Sequence, residues 1–442
     1  MPSVAVIGGG LAGLAATAAL AEAGFEIDLY DSRNFLGGRA TSWPAGGASA
    51  SDDSELIDNC QHILLKCCVN LQDLYSRLGV ENTIRFYREF YFLEPGGRMS
   101  TLKRGVLPAP MHFMGSFLTV KYLGLADKIA ISRGMRAILK ERHRADLDRI
   151  SMGEWLREKR QTPRAIERYW RPVLISAISE ELDSMAAAHG FQVFWLAMMA
   201  RADSYEMGVP AVPLRELYDE RSLTKLGNIR LHRRSAITAI ETAGSCVTAI
   251  QSPGERRTAD YYVSCLPFER LEPLLPDLPV AWREFTHAPI TGIHLWFDRP
   301  ITDLPHASLL DRTIQWMYNK DRGRYLQLVV SASRSLVEMP RAEVIDLSVR
   351  ELAEFFPVVK EAKLERAHVV KEIRALFSAK PGLEAFRPET ITPFANFFIA
   401  GDWTRTGWPA TMEGAVRSGY IAAEAIAAAA GATRKFLVPD IA

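Results

Sequence analysis

Cysteine is scarce in this sequence and shows neither a disulfide nor a metal-binding pattern. Five cysteines occur in 442 residues, and none of them has a CxxC spacing. Cys67 and Cys68 are adjacent, whereas Cys60, Cys246 and Cys265 are scattered along the chain. An odd number without regular spacing disfavours both a disulfide framework and a zinc site. The cysteines therefore predict no bound metal and a reducing, cytoplasmic environment.

The sequence also lacks an excess of charge of either sign. It contains 53 basic and 52 acidic residues, which gives a formal net charge of +1. Nucleic-acid-binding proteins usually carry a basic excess, and disordered chains combine high net charge with few apolar residues. Here 48% of the residues are hydrophobic. The composition predicts a globular protein without a nucleic-acid partner, and its length favours two domains.

Long apolar runs are missing as well. The alanine-rich stretch 421–430 is interrupted by Glu424, and no run reaches the 18 residues that a membrane-spanning helix requires. The segment Val4–Ile7 already has the pattern of a strand, so we expect no signal peptide before the fold. These features predict a cytoplasmic protein and leave peripheral contact with the cytoplasmic face of a membrane open.

The first 31 residues carry the pattern of a nucleotide-binding βαβ unit. The continuous apolar run Val4–Ile7 predicts a strand buried on both faces, and the Ala/Leu-rich segment Leu11–Ala23 predicts a helix. A second strand is predicted over Phe25–Tyr30, and Asp31 stands at its end. Between the first strand and the helix lies Gly8-x-Gly10-x-x-Gly13, in the position that the dinucleotide fingerprint requires.

Each glycine of this fingerprint has a distinct role. Gly8 permits the tight turn, Gly10 lets the backbone approach a pyrophosphate, and Gly13 lets helix and strand pack closely. Leu11 and Ala12 begin the helix, whose free N–H groups and positive dipole end face the phosphates. Asp31 is placed for ribose hydroxyls and would repel a 2′-phosphate, so these residues leave FAD and NAD as the candidates.

Two further segments resemble the flavin amine oxidase and phytoene desaturase superfamily. They are Gly37-Gly38-Arg39 and the ending Phe397-Phe398-Ile399-Ala400-Gly401-Asp402, which is followed by Met412-Glu413-Gly414-Ala415. The resemblance implies noncovalently bound FAD. It also implies that Gly38 lets the chain bend over the nucleotide, that Arg39 approaches the phosphates and that Asp402, after Gly401, binds a ribityl hydroxyl. Met412 would open a helix at the pyrimidine edge, and Ile237 would contact adenine through its backbone.

Other segments are similar to one branch of that superfamily, the hydroxysqualene dehydroxylases of hopanoid synthesis. They are Asp58-Asn59-Cys60-Gln61-His62, Cys67-Cys68-x-Asn70-Leu71, Leu107-Pro108-Ala109-Pro110-Met111-His112 and residues 400–415. Cys60 stands where that family has glycine. The resemblance implies hydride transfer from reduced FAD to hydroxysqualene, giving squalene. Loss of the hydroxyl needs a proton, and His62 and Asp58 are the candidate catalytic acids.

Several other functions are compatible with the same cofactor motifs. A desaturase of polyisoprenoids or an amine oxidase would move the hydride in the opposite direction, and a lipid-binding flavoprotein would not turn over. The segment Thr291–Phe297 lacks the lysine that many amine oxidases place near the flavin. Thr411 stands where they have a cage aromatic, whose face would attract a cationic amine. Both features argue against amines.

The expected fold class is α/β, with a Rossmann-type FAD-binding domain assembled from discontinuous segments and a second, α+β substrate domain. We assign residues 1–95, 216–290 and 386–442 to the first domain and residues 96–215 and 291–385 to the second. Residues 96–215 are expected to be largely helical, and a helix is predicted over Val344–Phe356. Residues 98–144 contain ten basic and two acidic residues beside an apolar segment, which suits contact with anionic lipid. An insoluble isoprenoid substrate would enter from the membrane beside this segment. The sequence gives no indication of the oligomeric state.

Overall fold

The computed structural model describes residues 1–45 and 55–441. In chain order, its strands are β1 (Ser3–Ile7), β2 (Glu26–Tyr30), β3 (Ser42–Pro44), β4 (Leu56–Asp58), β5 (Leu64–Leu65), β6 (Ile84–Tyr87), β7 (Glu89–Leu93), β8 (Met99–Lys103), β9 (Met207–Pro210), β10 (Ile229–His232), β11 (Ala239–Ala243), β12 (Cys246–Ser252), β13 (Glu255–Arg257), β14 (Tyr261–Ser264), β15 (His287–Phe297), β16 (His306–Leu309), β17 (Trp316–Asp321), β18 (Tyr325–Ser331), β19 (Leu364–Phe377) and β20 (Phe397–Ile399).

The helices are α1 (Leu11–Glu22), α2 (Val69–Arg77), α3 (Met114–Thr119), α4 (Leu125–Glu141), α5 (Met152–Glu158), α6 (Pro163–Ala165), α7 (Arg171–Ile178), α8 (Ala187–Val193), α9 (Glu220–Thr224), α10 (Phe268–Leu271), α11 (Arg334–Val337), α12 (Arg341–Phe355) and α13 (Met412–Ala429). Segments Ile166–Trp170 and Phe194–Met199 are π-helical, and short 3₁₀ turns connect other elements. No helix in the described part of the chain is long and apolar enough to cross a membrane.

A five-stranded parallel sheet forms the nucleotide-binding part of the molecule. Its order is β10-β2-β1-β14-β20, so its strands come from the beginning, the middle and the end of the chain. Val4 and Val6 in β1 are fully buried, as expected of a strand covered on both faces. Helix α13 packs against α1 so closely that a Cβ at Gly419 would collide with the carbonyl of Ala12. This packing fixes the amino end of α13 beside that of α1.

A seven-stranded sheet forms the second layer, with the order β19-β15-β18-β17-β16-β7-β8. All its pairs are antiparallel except the one between β16 and β7. Helix α12 covers one face and shares an apolar core with it, including Leu295, Leu328 and Leu352. The predicted boundaries place β7 and the start of β15 in the FAD-binding domain. The strand pairing instead makes both strands part of the seven-stranded sheet.

Helices α3–α8 and the π-helical segments pack over the other face of this sheet. Their core contains large aromatic residues such as Trp155, Trp170 and Phe194, all fully buried. The predicted helical character of residues 96–215 therefore holds for most of this region, with β8 and β9 as exceptions. The space between these helices, the seven-stranded sheet and the nucleotide-binding sheet contains the candidate site.

Candidate functional site

One continuous cavity of about 1030 Å³ connects the nucleotide-binding sheet to the helical layer. Most residues that the sequence predicts for cofactor binding or catalysis lie on its wall. They are Gly8, Gly10, Leu11, Ala12, Asp31, Gly38, Arg39, His62, Ile237, Gly401, Asp402 and Met412. Gly13 and Asp58 are not part of the wall.

The two glycine segments form a narrow backbone cradle at one end of this cavity. Gly37 donates its N–H to the carbonyl of Gly9 at 2.8 Å, which holds the second segment against the first. A Cβ at Gly38 would lie 2.9 Å from the Cα of Gly10, so a side chain there would close the gap. Gly8 has a φ of +106°, a conformation that favours glycine, and a Cβ at Gly13 would collide with the Gly8 carbonyl. The cradle thus fits a pyrophosphate at the amino end of α1.

Asp31 stands at the end of β2, where both carboxylate oxygens already accept one hydrogen bond. The N–H of Gly9 donates to Oδ2 at 2.8 Å and that of Arg33 donates to Oδ1 at 2.7 Å. Burial raises the pKa of Asp31, and these two N–H groups oppose that rise. The side chain is fixed at the cavity wall and each oxygen keeps capacity for a sugar hydroxyl.

Arg39 and Asp402 meet across the cavity wall. Nη2 of Arg39 lies 2.5 Å from Oδ1 of Asp402, and Nη1 donates to the carbonyl of Ala375 at 3.0 Å. The sequence assigns the two side chains to different parts of the cofactor, and the structure joins them. Gly401 precedes this pair with a φ of +146°, and its N–H donates to Oγ of Ser418 in α13 at 2.8 Å.

Replacing either predicted sugar-binding carboxylate should weaken FAD binding. A charge-assisted hydrogen bond contributes about 1.5–3 kcal/mol, so Asp31→Ala or Asp402→Ala should lower the affinity roughly 10- to 100-fold. Titration of the apoprotein with FAD, followed by flavin fluorescence, measures this change. Asp277→Ala, at an exposed carboxylate away from the cavity, is the matched control. Wild-type affinity in both cavity variants would contradict the placement of the nucleotide.

The loop 402–408 is held by a buried arginine that sequence reasoning missed. Arg387 is 1% exposed, and its guanidinium donates to the backbone carbonyls of Trp408 at 2.8 Å and Asp402 at 2.9 Å. It also donates to the carbonyl of Thr404 and to Oγ1 of Thr406. One side chain therefore fixes the segment between Asp402 and the start of α13. An isolated arginine before a loop gives no sequence signal of this role.

Residues Asn59, Cys60, Gln61 and His62 form a second wall of the cavity, beside Arg39. The side-chain amide of Asn59 donates to the carbonyl of Arg39 at 2.8 Å and to Oε1 of Glu372 at 3.2 Å. Cys60 is buried, and its φ lies outside the left-handed region, so a residue other than glycine fits there. Burial raises the pKa of the Cys60 thiol to about 12, which keeps it protonated and unreactive.

His62 lies on the wall with one ring nitrogen already engaged. Its Nδ1 lies 3.0 Å from the carbonyl of Cys60, and a carbonyl can only accept, so Nδ1 carries hydrogen. Nε2 is then the atom that can exchange a proton with a ligand. Burial lowers the pKa of His62, and the negative charges of Asp58 and Glu372 oppose this shift. Neutral His62 is a hydrogen-bond acceptor at Nε2, and only its imidazolium form is a donor there.

Asp58 does not occupy the position expected of a catalytic acid. Its Oδ1 accepts hydrogen bonds from Oγ of Ser42 at 2.7 Å and from the N–H of Leu214 at 2.9 Å. Its Oδ2 lies 3.3 Å from Nζ of Lys320, which also donates to Oε1 of Gln61 at 3.0 Å. Asp58 is buried among these partners and positions the loop rather than a substrate.

Glu372 is an acidic wall residue that the sequence prediction did not include. It lies in β19, accepts the Asn59 hydrogen bond and faces the same part of the cavity as His62. The sequence offered no motif around it, because β19 has no simple alternation of apolar and polar residues.

The cavity continues past His62 into an apolar space and then to the surface. Its walls there come from both layers and are mostly aromatic or sulfur-containing: Phe90, Phe92, Met114, Phe117, Met135, Tyr169, Met198 and Trp316. At the outer end lie Met111 and Leu139, both partly exposed, with Arg136 beside them. The arrangement suits a long, apolar ligand that reaches from the surface to the cofactor cradle.

Glu413, in the first turn of α13, connects the cavity wall to α2. Its Oε1 accepts from the side-chain amide of Asn70 at 2.8 Å, and its Oε2 accepts from the N–H of Leu71 at 2.8 Å. Burial raises the pKa of Glu413 to about 7, although these donors and Arg417 oppose the rise. Asn70 in turn binds the backbone of Val438, so the carboxyl-terminal segment is attached to the same network.

Glu413 should make the stability of the protein depend on pH. A carboxyl whose pKa is higher in the folded state binds protons more tightly there, so stability falls as pH rises from about 4.5 to about 7. Glu413→Gln does not titrate. The free energy of unfolding of the wild type, relative to this variant, should therefore decrease by up to about 3 kcal/mol across that range. Denaturant unfolding at several pH values measures the difference, and a constant difference would contradict it.

Comparisons with known proteins agree with the fold and the cofactor. The sequence model of one protein family, described as "Flavin containing amine oxidoreductase", matches residues 11–427. A zeta-carotene desaturase from Synechocystis is 28% identical, over 96% of this chain and 97% of the relative. A 15-cis-phytoene desaturase from Synechococcus elongatus is 26% identical, over 96% of each.

Solved structures share the fold at lower sequence identity. A double mutant of putrescine oxidase has a TM-score of 0.73, with 16% identity over 97% of this chain and 99% of the other. Cyclohexylamine oxidase from Brevibacterium oxydans has a TM-score of 0.65, also at 16% identity, over 97% and 99% of the two chains. At this identity the likeness establishes the α/β architecture with its nucleotide-binding sheet and second domain.

Proposed function

This chain belongs to the flavin-containing amine oxidoreductase family and is an FAD-dependent oxidoreductase, and from that premise we propose that it reduces hydroxysqualene to squalene. The observation that carries the proposal is the single cavity that joins the nucleotide cradle to an apolar, surface-reaching space. A C30 isoprenoid alcohol has one polar group and a long hydrocarbon chain. It matches a cavity that is polar beside His62 and apolar beyond it.

The segments that resemble those of hydroxysqualene dehydroxylases support this substrate. Residues 59–62 of the Asp-Asn-x-Gln-His segment lie on the cavity wall beside the cofactor cradle. Pro110 and Met111 of the Leu-Pro-Ala-Pro segment lie on it near the surface. The two motifs therefore belong to the same cavity, one at its reacting end and one at its entrance.

The reaction requires a hydride, a proton and a dry site. When bound, reduced FAD supplies the hydride to the carbon that loses oxygen. His62 donates a proton from Nε2 to the hydroxyl, so the C–O bond breaks to release water while the C–H bond forms. The hydrogen bond from Nδ1 to the Cys60 carbonyl keeps the ring oriented for this step. Trp316 is fixed by donating from Nε1 to Oγ of Ser176, and its π face can stabilise positive charge on the allylic carbon.

Desaturation of a polyisoprenoid is the second candidate, because the relatives at 26–28% identity are carotenoid desaturases that match nearly the whole chain. In that direction the substrate loses hydride and proton. Neutral His62 would then accept the proton at Nε2. The same geometry serves both directions, and the protonation state of His62 separates them.

Oxidation of an amine has less support from the site. Thr411, where amine oxidases have a cage aromatic, caps α13 by accepting from the N–H of Gly414 at 3.1 Å. Strand β15 carries no lysine. The nearby Lys320 is engaged by Asp58 and Gln61 and is not part of the cavity wall.

The direct test is to incubate the purified holoenzyme, chemically reduced, with hydroxysqualene in detergent or liposomes. We expect squalene, with deuterium at the carbon that lost oxygen when the flavin is reduced and the reaction is run in D2O, because the hydrogen on flavin N5 exchanges with solvent. In parallel, the oxidised enzyme is incubated with phytoene, zeta-carotene and putrescine. The proposal would be falsified if hydroxysqualene stays intact while oxidised enzyme dehydrogenates a polyene or an amine.

We also propose that the protein contacts the cytoplasmic surface of a membrane beside the cavity entrance. Most large apolar residues with high exposure lie in one segment: Met99, Val106, Leu107, Met111, Leu118, Leu125, Ile129 and Leu139. The two acidic residues in 98–144 offset little of its basic charge, and only Glu141 pairs within the described part of the segment, 3.5 Å from Arg144. Asp127 is buried and accepts from the N–H of Gly124 at 2.8 Å, and Glu141 pairs with Lys159 at 2.6 Å.

This contact should depend on lipid charge and on salt. The protein should sediment with vesicles that contain anionic lipid at low ionic strength, and less of it should do so as salt rises, because salt screens exposed charges. Neutral vesicles should bind it more weakly, through apolar contact alone. Binding that is insensitive to both variables would contradict an electrostatic membrane surface.

A further inference from the structure

A second recess, separate from the main cavity, lies beside the exposed apolar segment. Its volume is about 420 Å³. It is formed by the edge strand β8, the turn after it, helix α3 and the segment that follows α3. The residues that surround it are Met99, Ser100, Thr101, Lys103, Arg104, Gly105, Gly115, Ser116, Thr119, Val120 and Lys121.

Three cations surround this recess and one carboxylate lies near it. Lys103 is 3.2 Å from Oε1 of Glu89, whose other oxygen accepts from the hydroxyl of Tyr91 at 2.9 Å. Within residues 1–45 and 55–441, neither Arg104 nor Lys121 forms an ion pair. Both side chains are exposed. The recess therefore carries a local excess of positive charge that the protein itself does not neutralise.

The backbone of β8 adds hydrogen-bonding groups to the recess. Lys103 directs its N–H and C=O away from β7, because both bond to Oγ of Ser116, at 3.1 and 2.6 Å. Residues two apart in an antiparallel edge strand face the same side, so the N–H of Thr101 points toward the recess too. An N–H donor between cations is a suitable environment for a phosphate.

The position of the recess identifies the source of that phosphate. Val106 is fully exposed and Leu118 is 58% exposed, and both lie next to residues that form the recess. If these side chains enter the apolar part of a bilayer, the recess lies at the level of the lipid headgroups. We propose that it binds the phosphate of an anionic phospholipid headgroup and so orients the cavity entrance toward the membrane. This inference rests on the proposed membrane contact and adds a specific lipid site to it.

Gly115 offers a variant that separates a lipid site from general adhesion. It lies in α3 on the recess, and an added Cβ would meet no atom within 4 Å. Gly115→Leu therefore adds a bulky side chain at the wall of the recess, keeps every charge, adds apolar surface and favours the helix. Ala126→Leu, at an exposed position of α4 outside the recess, is the matched control. General hydrophobic adhesion predicts that both variants bind at least as well as wild type.

The experiment measures the dissociation constant of the FAD-loaded full chain for phosphatidylglycerol/phosphatidylcholine vesicles. We expect Gly115→Leu to weaken binding at least tenfold and Ala126→Leu not to weaken it. Arg104→Gln with Lys121→Gln should weaken binding at least tenfold more than Arg133→Gln with Lys140→Gln. Nonspecific electrostatic attraction to the membrane would weaken binding about fivefold for each neutralised cation, and by the same amount in both double variants. Equal losses in the two pairs, or undiminished binding by Gly115→Leu, would overturn the proposal.

Inorganic phosphate separates the lipid headgroup from a free anion. At equal ionic strength, phosphate should displace the protein from vesicles better than chloride, and equal displacement would contradict a phosphate site. Tight binding of inorganic phosphate without vesicles, lost in Gly115→Leu, would overturn the lipid assignment in favour of a soluble ligand. Turnover in detergent should be the same in all these variants, so a failure of this proposal is distinguishable from a failure of the proposed function.

Discussion

Arg387→Met should lower the free energy of unfolding by about 3–5 kcal/mol and release most of the FAD. The variant removes the guanidinium that holds three backbone carbonyls of the loop 402–408. The carbonyl of Trp408 keeps a donor in the Thr406 hydroxyl, but those of Asp402 and Thr404 remain buried without one. Each unsatisfied buried acceptor costs about 1–3 kcal/mol. The whole stability of a domain is about 5–15 kcal/mol, so this is a large fraction. FAD is lost because the same loop positions Asp402 and the amino end of α13.

Denaturant unfolding and the flavin content of the purified protein measure the two effects. Arg405→Met is the control, since Arg405 pairs with the exposed Glu389 and a surface ion pair contributes about 0–1 kcal/mol. If Arg387→Met does not fold, Arg387→Lys keeps the charge but not the forked geometry, and an intermediate loss is expected. Wild-type stability and flavin content in both Arg387 variants would contradict the role of this side chain.

The nucleotide-binding part could be predicted from the sequence because its signals are local. The strand, the glycine turn and the helix of the first βαβ unit are adjacent in sequence, and the structure places them at residues 3–7, 8–10 and 11–22. The acid Asp31 follows the next strand directly. The amphipathic pattern that predicts a helix over Val344–Phe356 corresponds to α12 at Arg341–Phe355. In each case the residues that determine the element belong to it.

The second sheet could not be predicted in the same way. Strand β19 has 14 residues with alternating runs of exposed and partly buried side chains, and it is stable because it pairs along β15. Strands β7 and β8 join this sheet through the parallel pair of β7 with β16, more than 200 residues away in sequence. Long-range pairing of this kind leaves no short sequence pattern. For this reason the predicted domain boundary at residue 95 falls between β7 and β8, although the two strands are neighbours in one sheet.

The candidate site, too, could be predicted where its residues belong to a short motif and not where their orientation depends on distant elements. Motif residues such as Gly38, Arg39 and His62 lie on the cavity wall, because each motif is a short segment with one backbone conformation. Asp58 belongs to the same motif as His62, but strand β4 directs it toward Ser42 and the N–H of Leu214. Which of two neighbouring acid candidates faces a cavity depends on elements that come from elsewhere in the chain.

Replacing His62 should have the largest effect on catalysis. His62→Ala is expected to lower turnover of hydroxysqualene at least about 100-fold while the protein keeps FAD, since a positioned acid contributes about 10²–10⁴ in rate. His62→Gln preserves hydrogen bonding to the Cys60 carbonyl but cannot transfer a proton, so it should be equally slow. Asp58→Asn should lower the turnover of the FAD-loaded enzyme less than His62→Ala does, because Asp58 acts only by positioning the loop that carries His62. Wild-type turnover in both His62 variants would show that another group donates the proton, and Glu372→Gln would then be the next variant to test.

The pH dependence of that reaction identifies what His62 does. Burial lowers its pKa from the usual 6.5, so the imidazolium form is present mainly at acidic pH. Because Nδ1 is bound to the Cys60 carbonyl, donation from Nε2 requires that charged form. If His62 protonates the leaving hydroxyl, kcat/KM should fall as pH rises through a pKa below 6.5, and His62→Gln should abolish this dependence. A rate that instead rises through the same pKa, with a polyene as substrate, would show that neutral His62 accepts a proton and that the enzyme is a desaturase.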